Sequence, residues 1–516
     1  MPPSVRVVSA SESAERDRAT IESGIPSRVL MQRAGTAAAA EISRRYADRL
    51  RHGAVVFTGP GNNGGDGWVV AGTLARSGVA VTVVETVEAK SPDAVAEKDA
   101  AIDSVKRVGE IASGATEAAA AQVVIDALLG TGAEGEPRGK IAEAISMINQ
   151  MHSGGARVAA LDIPSGLDAT TGHHSACVIA DSTFSFGGVK RGSLLARDCC
   201  GEIVVLDIGL DEVAKQSGKL PWLVDGAWVH ANIPAIRYDA HKGTRKHLAI
   251  VGGGKGMPGA VVLATRAALR SGIGLVRTFV APENVSDVLA AAPSALISDW
   301  PTKPADISSQ ISKWADAIVI GPGLGKSSQT RELVEKILAN STLPVLLDAD
   351  ALNVFDGDSA ALGNLLRGRP ALITPHVAEF ARLANVDVQR VIANRFDIGS
   401  ELARALGATV LLKGSPTVIF VPDGERYVAA RGTAALGTGG SGDLLAGITG
   451  TLLAQSLEAP VAASCAAWVH GRAAELCEYV RGTTLEDVLY ALPRAWNEPE
   501  PAAMPPVMAE LSAVAQ

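Results

Sequence analysis

The chain has 516 residues, a length that calls for two or more domains. Hydrophobic residues at 47% and charged residues at 20% suit packed globular cores and exclude a disordered chain. A formal net charge of -8 and aromatics at 4% provide neither the basic footprint nor the stacking surface of a nucleic-acid binder, while 54 glycines imply many tight turns and close backbone approaches to ligands.

The opening stretch MPPSVRVVSASESAERDRATIESG lacks the apolar segment of a secretory signal, and no later run approaches a membrane span. A cytoplasmic, soluble protein is expected, without a membrane or nucleic-acid partner. The five cysteines, Cys177, Cys199, Cys200, Cys465 and Cys477, form no CxxC and read as structural thiols in a reducing compartment. The adjacent pair Cys199–Cys200 reads as a coincidence at a strand edge rather than a redox site.

Apolar, β-branched runs then recur with helical stretches between them, at 53–59, 79–85, 121–130, 156–166 and 201–209. Runs of this kind predict a parallel sheet covered by helices on both faces. The pattern lapses around 211–240 and restarts at 246–254, 273–281, 315–325, 343–353, 369–376, 407–415 and 416–424. Two α/β domains are predicted, at 1–215 and 239–495, with a linker at 216–238 and a loosely held Pro- and Ala-rich tail at 496–516.

Three segments match G-x-G-x-x-G, at 59–64, 130–135 and 437–442. The first follows a strand and precedes a helix, with Glu85 ending the next strand, so a dinucleotide fingerprint stays open there. Against it, Asn62 and Asn63 occupy the turn and Asp66 follows the glycines directly, and such oxygens suit a cation or a sugar hydroxyl better than a phosphate. A plain helix cap is the alternative for Asp66. GPGLGKSS at 321–328 fails as a P-loop because Ile320 stands where the first glycine is needed. The stretch GTAALGTGGSGDLLAGITG at 432–450 poses a conflict of sign: glycines ahead of a helix favour an anion, yet Asp443 stands where that helix should start.

The motifs GPGNNGGDG, DALLGTG and DIPSGLD make the first half resemble the NAD(P)H-hydrate epimerase domain. From HKG (241–243) onward, GGGKGMPGA, GPGLG, DADALN, TPH, KGSPT and GTGGSGD make the second half similar to the ADP- or ATP-dependent NAD(P)H-hydrate dehydratase domain. The resemblance implies a Rossmann-like three-layer sandwich followed by a ribokinase-like domain. It also implies repair of hydrated NADH and NADPH. R and S hydrates are interconverted by the first domain, and the S form is dehydrated by the second at the expense of a nucleotide, giving AMP and phosphate if ADP is used.

In the first half the resemblance assigns substrate contacts to Asn62, Asn63, Gly64, Gly65 and Asp66, and to the loop Gly130, Thr131, Gly132, Ala133, Glu134, Gly135 and Glu136. It assigns K+ to Asn63, Asp126 and Ser165, an amide, a carboxylate and a hydroxyl that form a reasonable oxygen cage for a hard cation. Asp162 is the expected acid/base, since a carboxylate at a strand end can shuttle the proton that epimerisation needs. Its alternative is a buried Asp bonded to a loop, and Lys190 is an assisting or merely solvated cation.

In the second half Ala260, Gly323 and His376 are expected to line the hydrate site. Lys413, Gly414, Ser415, Pro416, Thr417 and Gly442 are expected to hold ADP or AMP. The sign conflict then resolves: turn amides face the migrating phosphoryl group, and Asp443 faces the substrate hydroxyl as general base. Mg2+ is expected with the nucleotide, and Asp348, Asp350 and Asn353 are candidates to hold it. Two departures from the family pattern stand out, Val377–Ala378 after His376 and Arg431 upstream of the glycines. A homo-oligomer is the expected assembly.

Overall fold

Alternation along the strand Ala54–Thr58 sends its side chains into two different cores. Val56 packs with Ala38 and Trp68 from the helices Ser27–Arg45 and Asn62–Arg76, whereas Val55 and Phe57 pack with Ile145 and Ile148 from the helix Lys140–Ser153. A sheet with two apolar faces needs a helical layer on each, which gives three layers. The computed structural model describes residues 3–109, 121–210, 220–300, 304–498 and 503–514. It divides into two units, Ser4–Leu220 with Ala502–Val514, and Pro221–Pro501.

In the N-terminal unit the sheet runs in the spatial order Val507–Leu511, Glu202–Leu206, Ser182–Phe186, Arg157–Leu161, Val123–Ala127, Ala54–Thr58, Val81–Glu85, Lys106–Val108. All neighbours are parallel except Val507–Leu511, which runs antiparallel to Glu202–Leu206. The chain leaves Ala54–Thr58 toward one edge and later returns to its other side, so strand order reverses between Ala54–Thr58 and Val123–Ala127. Open α/β sheets bind ligands at such a reversal.

The C-terminal unit repeats the device. Its order is Leu296–Asp299, Leu275–Val280, His247–Val251, Ala317–Ile320, Val345–Leu347, Ala371–Ile373, Thr409–Leu412, Thr417–Phe420, Arg426–Ala429, Trp222–Leu223, with the reversal beside His247–Val251. Pairing is parallel up to Thr409–Leu412, then antiparallel through Arg426–Ala429. The helix Ser441–Ala454 is buried along its length, packed against the helices Pro258–Arg270 and Ala459–Glu475.

Two expectations about chain organisation change. The segment at 216–238 is not a bare linker where it is described: Trp222–Leu223 pairs with Arg426–Ala429, and Trp228 stacks on Tyr427 at 5.8 Å. The tail is not loose throughout either. Val507, Ala509 and Leu511 alternate inward, burying an apolar face and covering the sheet edge at Glu202–Leu206, while Arg45 bridges Glu202 and Glu510. No described helix is long and apolar enough to cross a membrane.

Candidate functional site

The NNGGD motif is not a turn ahead of a helix. The helix starts at Asn62 itself and carries the glycines in its first turns. They are there because the helix lies directly on the sheet: a Cβ at Gly64 would come within 2.0 Å of the Gly59 carbonyl oxygen. This packing places Asn62, Asn63 and Asp66 at one wall of a cleft of about 470 Å³. Gly130, Thr131, Gly132, Ala133 and Asp162 line the same cleft. Gly64 and Gly65 pack away from it, Gly135 and Glu136 face a smaller neighbouring cavity, and Glu134 is exposed.

Asn63, Asp126 and Ser165 converge on the Leu128–Leu129 backbone. Asn63 Nδ2 donates to the Leu129 carbonyl at 2.9 Å, and the Leu129 N–H donates to Ser165 Oγ at 2.9 Å. Ser165 Oγ donates to Asp126 Oδ1 at 2.6 Å, and its N–H donates to Oδ2 at 2.8 Å. Burial raises the Asp126 carboxyl to about 6 despite these donors. Asn63 Oδ1 is buried and, among the described residues, has no hydrogen-bond partner. An orphan amide oxygen beside a desolvated carboxylate fits a monovalent cation.

Asp162 follows the strand Arg157–Leu161 in a left-handed conformation, φ +62. Its carboxylate accepts from the Phe186 N–H at 3.0 Å and from the ammonium of Lys190, which is fully buried. Lys190 is therefore no solvated surface cation. Asp17, from the helix Ala10–Glu22, joins the cleft wall. Burial, then the charges of Asp162 and Asp17, push the Asp66 carboxyl well above its ordinary range, with Lys190 pulling the other way. Burial likewise raises Asp17. Of the carboxyl groups that line the cleft, Asp17, Asp66 and Asp162 act on one another and on Lys190, with Asp66 placed to keep a proton and Asp162 clamped by donors.

In the C-terminal unit Asp348, His376 and Lys413 follow three neighbouring strands, Val345–Leu347, Ala371–Ile373 and Thr409–Leu412, and so meet at one edge. Lys413 Nζ reaches Asp348 Oδ1 at 2.8 Å and Glu379 Oε2 at 3.9 Å. A Cβ on Gly442 would lie 3.1 Å from Lys413 Nζ, so the lysine touches the first turn of the helix Ser441–Ala454. That turn is entered through Gly440 at φ +98, where a side chain would also strike Leu263. Burial opposes the Lys413 charge, but Asp348, Glu379 and Asp443 outweigh it and raise its pKa. Asp443 is nearly buried, and burial first, then Asp348, lift its carboxyl to about 7 against the pull of Lys413.

A cavity of about 870 Å³ opens beside this cluster, lined by His376, Lys413, Gly414, Ser415, Thr417 and Gly442, and by the turn residues 436–439. Pro416, Ala260, Gly323 and Asp443 are not part of that lining. Ala260 and Gly323 sit together at the strand-order reversal, their Cβ positions 3.0 Å apart if Gly323 had one. Of the Mg2+ candidates, Asn353 Oδ1 accepts from Arg382 at 2.7 Å, Asp350 Oδ2 from the Gly325 N–H at 2.8 Å and Asp348 Oδ1 from Lys413 at 2.8 Å, so Asp348 has its Oδ2 left toward the glycine turn. Its Oδ2 lies 3.7 Å from the Gly442 Cβ position.

Residues 248–494 match the family described as NAD(P)H-hydrate dehydratase, and residues 27–192 the family described as YjeF-related protein N-terminus. The bifunctional NAD(P)H-hydrate repair enzyme of Moorella thermoacetica is 34% identical, over 92% of this chain and 93% of its own length. The Escherichia coli enzyme of the same name is 36% identical, over 91% and 89%. The chain belongs to the bifunctional NAD(P)H-hydrate repair enzyme family. Its C-terminal fold is that of the ADP/ATP-dependent NAD(P)H-hydrate dehydratase of Bacillus subtilis, co-crystallised with ATP and Mg2+. That protein is 29% identical at a TM-score of 0.50, over 55% of this chain and 100% of its own. Membership argues against a hydride-transferring dehydrogenase at the 59–64 fingerprint, and against a small-molecule kinase fused to a Rossmann-like binding module.

Within this repair-enzyme chain the departures find physical accounts. The helix Val377–Ala384 starts directly after His376, whose Nδ1 accepts from the Ala378 N–H at 3.1 Å while Glu379 accepts from the His376 N–H at 2.9 Å. Burial lowers the His376 pKa, with Lys413 adding to it and Glu379 opposing. Arg431 pairs with Glu475 at 3.2 Å and lies over the Trp468 ring, closing one side of the large cavity. Sequence reasoning missed Asp17, Glu379, His470 and Glu475. Asp17, His470 and Glu475 sit outside the motifs and are brought in by the packing of distant helices, whereas Glu379 lies three residues after the TPH motif, in a helical first turn that its capping pattern with His376 could have signalled. His470, which burial pushes down to about 4, faces Ser441 Oγ at 3.5 Å.

Proposed function

We propose that the N-terminal cleft epimerises the R and S hydrates of NADH and NADPH, and that the C-terminal site dehydrates the S hydrate using ADP or ATP. The observation that carries the second reaction is Asp443 beside Lys413 at the amide end of the helix Ser441–Ala454. Amides and lysine serve the phosphoryl oxygens, while the carboxylate takes the proton of the ring hydroxyl. Phosphorylation turns hydroxide, a poor leaving group, into phosphate; its elimination restores the dihydronicotinamide. Lys413, Gly414, Ser415, Pro416, Thr417 and Gly442 hold the nucleotide in this reading, and Asp348 would hold Mg2+, which would neutralise phosphate charge. Ala260, Gly323 and His376 take the hydrate.

In the epimerase half Asp162 moves the proton, with Asp66 as the neighbouring proton-holding group. K+ on Asn63, Asp126 and Ser165 would neutralise the buried carboxylate and anchor the Gly130–Ala133 stretch that faces the nucleotide. The reading is tested by incubating the full chain with mixed hydrates and ADP. Recovery of reduced-nicotinamide absorbance from both epimers is expected. Consumption of the S form alone would refute the epimerase, and no recovery would refute the dehydratase.

A further inference from the structure

Neither reaction uses a cluster beside the small cavity that Gly135 and Glu136 face, a cavity that His174 also lines. A ring nitrogen of His174, Cys177 Sγ and Cys199 Sγ all lie within 4.8 Å of one another. We propose that these three residues form a binding site for one zinc-class divalent ion, with solvent as its fourth ligand.

The spacing matches the chemistry. A tetrahedral ion with bonds of about 2.0–2.1 Å to nitrogen and about 2.3 Å to sulfur sets N and S about 3.6 Å apart. Cys199 Sγ and His174 Nε2 are 3.5 Å apart. Two thiolates and an imidazole select a borderline-soft ion over Mg2+ or K+.

The histidine is oriented as a ligand would be. Its Nδ1 sits 3.1 Å from the Gly172 carbonyl, which can only accept, so Nδ1 carries the proton and the Nε2 lone pair faces the thiols. Backbone contacts hold the sulfurs in place: the Ala180 N–H donates to the Cys199 carbonyl at 3.0 Å, and Asn149 Nδ2 donates to the Cys177 carbonyl at 2.9 Å. Both cysteines are buried while His174 is exposed, so solvent reaches the ion from the histidine side. Cys200 takes no part, since its thiol turns to the Ala196 carbonyl. Binding would release the two thiol protons.

The test is titration of the reduced, chelator-treated full chain with Co2+ as a spectroscopic stand-in for zinc. One equivalent should saturate a thiolate-to-cobalt charge-transfer absorption that zinc then abolishes. Cys177→Ser and Cys199→Ser should each remove the absorption. The exposed position of His174 leaves His174→Ala folded, and that variant should bind about tenfold more weakly or worse, since even groups behind a metal ligand are worth about ten- to a hundredfold. No saturable absorption, or the same absorption in both cysteine variants, would overturn the site. So would a Cys177–Cys199 disulfide, found by mass spectrometry in air, whose formation zinc does not slow.

Discussion

Lys413 Nζ lies 2.8 Å from Asp348 Oδ1, and the pair sits against the glycine turn that opens the helix Ser441–Ala454. One ammonium there balances Asp348, Glu379 and Asp443. Removing one partner of a buried ion pair costs about 3–5 kcal/mol, because the remaining charge has no counterpart. Lys413→Met should fall at the lower end of that range, as its cavity admits water, and denaturant unfolding measures it. Nucleotide affinity should drop as well. Lys413 pulls the Asp443 pKa down, so the acidic limb of the activity profile should move to higher pH in the variant.

Asp443, at about 7, must lose its proton to act as a base. Dehydration should therefore rise with pH and reach half its plateau near neutrality. Asp443→Asn should lower the rate by about 10²–10⁴-fold and abolish that limb, while epimerisation continues. The stability sign is the reverse. A carboxyl with a raised folded-state pKa contributes stability that is full below its ordinary value and is lost as pH rises through about 7. Asp443→Asn should thus gain stability relative to the native chain above neutrality, as paired melts at acidic and alkaline pH would reveal.

Asp162 adopts φ +62, a conformation that Asn tolerates and Ala resists. Asp162→Asn is therefore the cleaner variant. It should retain the fold and the dehydratase but leave the R hydrate unconsumed, as separation of the two epimers by chromatography would show. Continued interconversion would end the acid/base assignment.

K+ and protons should compete at Asp126. With its carboxyl at about 6, K+ binding should weaken as pH falls below that value. KCl in place of choline chloride should raise the melting temperature of the native chain near pH 8, less so near pH 5, and not at all in Asp126→Ala. An equal gain in the variant would place K+ elsewhere.

The tail carries its own expectation. Deleting residues 503–516 removes the buried Val507 and Leu511, each worth roughly 1.5–3 kcal/mol when fully buried, and bares the edge at Glu202–Leu206. Lower stability and a tendency to associate should follow, measured by melting and by light scattering. The composition of that tail suggested a loose end; its alternating Val-Met-Ala-Glu-Leu pattern was the signal that pointed the other way.

Local pattern alone determined the strand runs and the doubled α/β plan, and it was the resemblance of the motifs to a family that marked out Asn63, Asp126, Ser165, Lys413 and Asp443. Strand ends in open sheets face one edge, so residues placed just after strands are bound to meet there. Tertiary structure decided everything that depends on which helix covers which end. It buried Lys190 among Asp17, Asp66 and Asp162, brought His470 to the large cavity beside Lys413 and Glu475 onto Arg431 at its wall, and drew His174, Cys177 and Cys199 together. Burial and long-range charge set those pKa values and pairings, and neither is a property of a short stretch of chain.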